Sequence, residues 1–135
     1  MVSQGTQTRI VVADSDRRVR SALRVLLREE PELALVGESS DLPCLVALVR
    51  ELKPDLVLLD WELPGRPAAA VLLAQTSLDY RPKVIVFSGR PESEEAVLAA
   101  GADAFVSKGD APEALLSAFR ELTQESGEEI GRAHV

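Results

Sequence analysis

A single cysteine, Cys44, stands among the 135 residues, so the chain closes no internal disulfide and builds no cysteine-based zinc site. Its neighbours Leu42, Leu45 and Val46 make it a core filler rather than a reactive thiol. The single histidine, His134, lies almost at the end of the chain and reads as solvated rather than catalytic. Basic residues are in deficit: 15 Lys and Arg against 22 Asp and Glu give a net charge of −7. With a pI of about 4.8, this argues against a chain that binds nucleic acid by itself, while leaving room for divalent cations. No apolar run approaches the length that spans a bilayer, and no signal-peptide pattern opens the chain, so a cytoplasmic protein without membrane contact is expected. No glycine-rich phosphate loop follows the first strand. Asp14-Ser15-Asp16-Arg17 stands there instead, which disfavours a small enzyme or flavin binder. What remains is an ordinary globular mix, 46% hydrophobic and 27% charged, long enough for one domain with a real core.

The chain is organised around Asp55-Leu56-Val57-Leu58-Leu59-Asp60-Trp61-Glu62-Leu63-Pro64-Gly65. Four apolar residues lead to one carboxylate and then to a turn, the pattern of a strand buried on both faces. Asp60 is the polar residue at its carboxyl end. Taken alone, it could equally be a helix cap or turn residue.

The flanking sequence is regular. Residues 1–7 are polar and expected to be disordered. A first strand over 8–13 contains Ile10, Val11 and Val12 and ends in Asp14-Ser15-Asp16, where Ser15 or Asp16 caps a helix. That helix has an apolar face of Val19, Ala22, Leu23, Leu26 and Leu27, with Arg17, Arg18, Arg20, Arg24 and Arg28 on a solvated side. A short second strand over 33–36 closes at Gly37. Asp41 caps a second helix, which Pro54 stops. Residues 68–74 predict a third helix. A fourth strand over 83–87 ends in Ser88-Gly89, and a short helix over 92–100 closes on a left-handed Gly101. A fifth strand over 103–107 ends at Lys108. Asp110 and Glu113 have the spacing of a capping box for a last helix with Leu115, Leu116, Phe119 and Leu122. The domain is thus expected over 8–124, with 125–135 a tail or the start of a linker.

Strand and helix alternate five times, which means a parallel sheet covered on both faces. The expected fold is α/β, a flavodoxin-like (βα)5 doubly wound sheet in strand order 2-1-3-4-5. Its switch point falls between strands one and three, which end in Asp14 and Asp60. Strands four and five add Ser88 and Lys108 to the same edge. Any one polar residue at a strand end is unremarkable; the set Asp, Asp, Ser, Lys is not. Two adjacent carboxylates call for a cation, and their oxygens suit Mg²⁺. A hydroxyl and an ammonium can hold phosphate oxygens, and Asp60 can then serve as a nucleophile toward phosphorus.

These segments resemble the receiver domain of bacterial two-component response regulators, close to those of the LuxR/NarL type that carry a helix-turn-helix output domain. Val11-Val12-Ala13-Asp14, the Asp60 strand with Pro64-Gly65, Val84-Ile85-Val86-Phe87-Ser88, and Ala100 through Lys108 carry the likeness. The resemblance implies that Asp60 is the phosphoacceptor for a histidine kinase, not the catalytic residue of an enzyme. It also implies that Asp14, Asp60 and the backbone carbonyl of Glu62 hold Mg²⁺, that Ser88 and Phe105 switch together, and that Lys108 pairs with the phosphate. Output would pass through the helix after strand four, strand five and the last helix, toward a homodimer or a DNA-binding domain outside this chain. The sequence departs from the pattern at Ser15, where a second acidic residue is usual, so Mg²⁺ binding should be weak. Gly109 follows Lys108 where proline or aspartate is common, and the segment from Ser88 to Gly101 is short. The alternative is therefore a pseudo-receiver, an interaction or dimerisation module independent of phosphorylation. Trp61 is expected on a helix-covered face, and Glu62 stands where a side chain can control access to the phosphoryl group.

Overall fold

The computed structural model describes residues 7–65, 82–110 and 112–133. In chain order these form β1 (Thr8–Ala13), α1 (Arg17–Arg28), β2 (Leu33–Ser39), α2 (Leu42–Leu52), β3 (Leu56–Asp60) and β4 (Lys83–Ser88). A 3-10 turn (Pro91–Ser93), α3 (Glu94–Ala99), β5 (Ala104–Ser107) and α4 (Pro112–Ala133) follow. Residues 1–6, the helix expected over 68–74 and His134 lie outside the described residues. The five strands make one parallel sheet in the order β2-β1-β3-β4-β5, as the alternating pattern predicts. Among the described residues no helix is long and apolar enough to cross a membrane.

Successive side chains of a strand point to opposite faces, so each apolar run feeds two cores. Ile10, Val12, Leu56, Leu58 and Ile85 pack with Leu23 and Leu27 of α1 and with Leu115, Phe119 and Leu122 of α4. Val11, Ala13, Val57, Leu59, Val84 and Val86 pack on the other face with Leu45 of α2 and Val97 of α3, and Trp61 and Phe105 lie half-buried against them. Among the described residues Phe119 is the largest fully buried side chain. Phe119→Ala should cost about 4 kcal/mol, the usual range for emptying a core aromatic site. The check is a lower urea midpoint at unchanged m-value.

The structure differs from the sequence expectation at three places. First, β2 does not close at Gly37 but runs on to Ser39. Gly37 is there for space: a Cβ would meet Leu52 Cδ1 at 3.1 Å and Leu48 Cδ1 at 3.4 Å, so the missing side chain lets α2 lie close on the strand. The β1–β2 register slips between Ile10 and Val11, opposite this stretch. Second, Cys44 is exposed, not a core filler; α2 turns Leu45 inward and leaves its neighbour on the outer side. Third, the last helix does not stop near Gln124: its backbone is helical to Ala133. Polar composition alone does not break a helix, and no proline follows Pro112. At the amino-terminal end Gln7 Nε2 donates to the Pro31 carbonyl at 3.0 Å.

Asp41 caps α2 as expected, accepting from Cys44 N–H at 2.8 Å. Between the two candidates for α1, Asp16 is the cap, accepting from Arg18 N–H at 2.9 Å, while Ser15 is exposed.

Candidate functional site

Strand register assembles the site. Ala13 pairs with Leu59, so the next residues, Asp14 and Asp60, end side by side on the carboxyl edge. Asp60 pairs with Phe87, and Ser88 pairs with Ser107, which brings Ser88 and Lys108 to the same edge. The Lys108 N–H donates to the Ser88 carbonyl at 2.7 Å and extends the ladder by one step.

Asp14, Asp60 and Ser88 are 1%, 3% and 0% exposed, and polar groups so deeply placed require partners. Lys108 supplies one: its Nζ lies 2.9 Å from Asp14 Oδ2 and 3.2 Å from Asp60 Oδ1. The same ammonium stands 5.5 Å from the centre of the Phe87 ring, within cation–π reach. Asp14 Oδ1 accepts from Asp16 N–H and Asp60 Oδ1 from Glu62 N–H, each at 2.9 Å. Asp14 Oδ2 is fully shielded from solvent and its close partner is the Lys108 ammonium.

The electrostatics follow from this crowding. Burial pushes the Asp60 carboxyl above its ordinary value and neighbouring Asp14 adds to the rise; the Glu62 N–H and Lys108 oppose it. Burial works to lower the Lys108 ammonium, but the two carboxylates outweigh it and hold Lys108 above the usual lysine value. Glu62 also resists the upward push of burial: the Ser88 hydroxyl, the Gly89 N–H and nearby Lys108 and Arg90 hold it below the ordinary range.

The structure thus gathers Asp14, Asp60, Ser88 and Lys108 as the sequence predicts. Phe105 lies earlier in the β4–β5 ladder, opposite Val86 and half-buried in the core layer. Ser15 is exposed, and Asp16 is committed to its capping role, so neither replaces the absent acidic group. Among the described residues no group of three or more His, Cys, Asp or Glu side chains is arranged to hold a metal. The shielded Asp14 carboxylate and adjacent Asp60 nonetheless form a hard-oxygen pair that suits Mg²⁺ in kind, with less charge than a three-carboxylate site.

Two features escaped the sequence. The Arg20 guanidinium donates to the Asp14 carbonyl at 2.7 Å and stands 3.6 Å from Glu38, while Arg24 grips the same Glu38 through two bonds of 2.7 and 2.8 Å. The Glu62 side chain reaches over to β4, accepting from Ser88 Oγ at 2.7 Å and from Gly89 N–H at 3.1 Å. Neither has a periodic signature. Only the nearness of Glu62 to Asp60 in sequence hinted at the second.

A doubly wound sheet with paired carboxylates, a hydroxyl and an ammonium on its carboxyl edge defines a flavodoxin-like domain of the receiver class. Residues 10–120 match the response regulator receiver domain profile, and the chain belongs to that family. It is 34% identical over 116 residues to the nitrate/nitrite response regulator protein NarL of Escherichia coli, covering 83% of this chain and 53% of that protein. It is 33% identical over 115 residues to the DNA-binding response regulator MtrA of Mycolicibacterium smegmatis, covering 83% and 49%. The chain therefore spans about half the length of these curated relatives. Among solved structures, a LuxR-family two-component response regulator from Aurantimonas superposes with a TM-score of 0.76 at 26% identity, covering 88% of this chain and 86% of that one. The signal receiver domain of a NarL-type regulator from Mycobacterium tuberculosis does so with a TM-score of 0.75 at 25% identity, covering 87% and 97%. The NarL/LuxR-type receiver likeness read from the motifs thus holds.

Proposed function

We propose that the chain is a phosphorylation-controlled switch, with Asp60 the acceptor of a phosphoryl group from a sensor histidine kinase. The observation that carries this reading is the Lys108 ammonium held against both buried carboxylates, beside the one that would react. An Asp60 carboxylate oxygen attacks phosphorus, forming an O–P bond, as the N–P bond of the kinase's phosphohistidine breaks and imidazole leaves with the electron pair. Lys108 pairs with the transferred oxygens, and Ser88 supplies a hydroxyl donor at the end of β4. Asp14, Asp60 and the Glu62 carbonyl are the groups that would hold Mg²⁺, which supplies neutralising charge to the phosphoryl oxygens when bound. The added charge biases an element containing Ser88 and Phe105, and the change passes to the surface of α3, β5 and α4. The domain is a signalling module rather than an enzyme, its chemistry limited to taking up and losing its own phosphoryl group. In this reading it works in the cytoplasm, over residues 8–124, with residues 125–135 leading away. It acts through a homodimer or a DNA-binding output domain, with no direct contact to nucleic acid or membrane.

The test is intact mass after incubation with acetyl phosphate and Mg²⁺. The expected result is a gain of one phosphoryl group, and a faster gain in Ser15→Asp at limiting Mg²⁺, because the substitution restores a negative charge beside the cation. No gain in either protein would overturn the reading. It would favour instead a pseudo-receiver that binds partners without phosphate, a reading supported by exposed Ser15 where a second acidic residue is usual and by Asp16 being committed to its cap.

A further inference from the structure

We infer that the Glu62 carboxylate is a latch that occupies the phosphoryl group's place at the end of β4 and must be displaced before Asp60 can be phosphorylated efficiently. The inference rests on the phosphoacceptor reading of Asp60. The turn after β3 sets it up. Glu62 N–H is tied to Asp60 Oδ1 at 2.9 Å, Leu63 N–H donates to the Asp60 carbonyl at 3.1 Å, and the Leu63 side chain is buried. The backbone of the turn is thereby fixed, and the Glu62 side chain crosses from the β3 end to the β4 end.

There it uses both oxygens. Oε2 accepts the Ser88 hydroxyl at 2.7 Å and Oε1 accepts the Gly89 N–H at 3.1 Å. The Ser88 oxygen accepts in turn from Arg90 N–H at 3.0 Å, which orients the hydroxyl proton toward Glu62. A side-chain O–H and the next backbone N–H converging on one oxyanion form a small anion-binding cradle. A hydroxyl has one proton, so a phosphoryl oxygen on Asp60 cannot use Ser88 while Glu62 does. With the latch closed, the incoming group finds Lys108 and a neighbouring negative charge; with it open, it finds Lys108, Ser88 and Gly89. The latch therefore slows acceptance and makes it depend on Glu62 turning outward.

The experiment compares wild type with Glu62→Gln, Glu62→Ala and the double variant Glu62→Ala/Ser88→Ala. Labelling by acetyl phosphate with Mg²⁺, in which the Asp60 O–P bond forms as acetate leaves with the electron pair, is followed by intact mass. Gly89 amide exchange is followed by NMR without any phosphodonor. Glu62→Ala should label roughly tenfold faster, the scale of one charge-assisted hydrogen bond, with isosteric Glu62→Gln between it and wild type. Most of that gain should vanish in the double variant, which lacks the freed hydroxyl. The Gly89 amide should exchange faster in Glu62→Ala than in wild type. Equal labelling rates in wild type and both single variants, or Gly89 exchange that ignores Glu62, overturns the latch. Absence of labelling in every protein while Gly89 exchange responds overturns the phosphoacceptor reading, and the competition with it.

Discussion

Asp60→Asn should abolish labelling by acetyl phosphate while leaving the domain folded and at least as stable at neutral pH. The carboxamide keeps the size of the side chain and an oxygen for the Glu62 N–H, but it offers phosphorus no anionic nucleophile. The stability half of the expectation follows from the pocket's charge. Burial, and then Asp14, raise the Asp60 carboxyl in the folded state, so the native protein binds more protons there than the unfolded chain. Linkage then makes this group cost stability as pH rises from the unfolded carboxylate value through the raised folded one. An uncharged side chain removes that cost, so the stability advantage of the variant should grow across this acid-to-neutral window and level off above it. Labelling, fold and pH profile are separate readouts: mass, circular dichroism and urea midpoints at several pH values. Undiminished labelling of Asp60→Asn would place the acceptor on another residue.

Lys108→Met should do the opposite to stability. It strips the shared cation from two carboxylates that are nearly inaccessible to water, and the expected cost is about 3 kcal/mol at pH 7. That is the lower end for an uncompensated buried charge, because Lys108 itself is 24% exposed and its side of the pocket admits solvent. The pH dependence has a definite sign. Lys108 is held above its ordinary value, so in wild type its contribution is complete below the unfolded lysine value and is lost only as alkaline pH passes the folded one. In the variant, Asp60 keeps the burial and the Asp14 charge that raise its carboxyl but loses the opposing cation, so it takes up a proton more readily. The deficit should therefore shrink as pH falls and Asp60 protonates. Mg²⁺ should recover part of the loss at neutral pH by binding the folded state alone, seen as a metal-dependent rise in melting temperature. A variant as stable as wild type at pH 7 would show that Lys108 is not the partner that makes the paired carboxylates tolerable.

The parts of this molecule that were legible in advance are those written in period and position. Apolar runs such as Ile10-Val11-Val12 and Leu56 through Leu59, short, rich in branched residues and bounded by turn signals, read as strands covered on both sides. Once their order is set, the residues that end them must share one rim. Asp14, Asp60, Ser88 and Lys108 follow from that alone. What stayed hidden depends on side-chain reach and on local space. Gly37 has the signature of a strand terminator, yet it sits within β2 because α2 needs the room. Cys44 has apolar neighbours, yet a one-residue rotation on the helix turns it out to solvent. Glu62 shows its proximity to Asp60 in the sequence, but not that its carboxylate bridges to Ser88 and Gly89. The polar stretch after Gln124 lacks a hydrophobic stripe and holds Gly127 and Gly131, so neither period nor propensity announced a helix that runs on to Ala133.

The slipped register between Ile10 and Val11 bears on how copies of this domain meet in a crowded cell. It lies in the ladder that β1 shares with β2, the strand at one rim of the sheet. A flat, regular rim would be a template on which another chain could pair and seed fibrous association. An irregular rim strand, interrupted by glycine and carrying Glu38 clasped by Arg24, offers a poor template. The same compromise that seats α2 closely therefore also guards the molecule against self-templated aggregation.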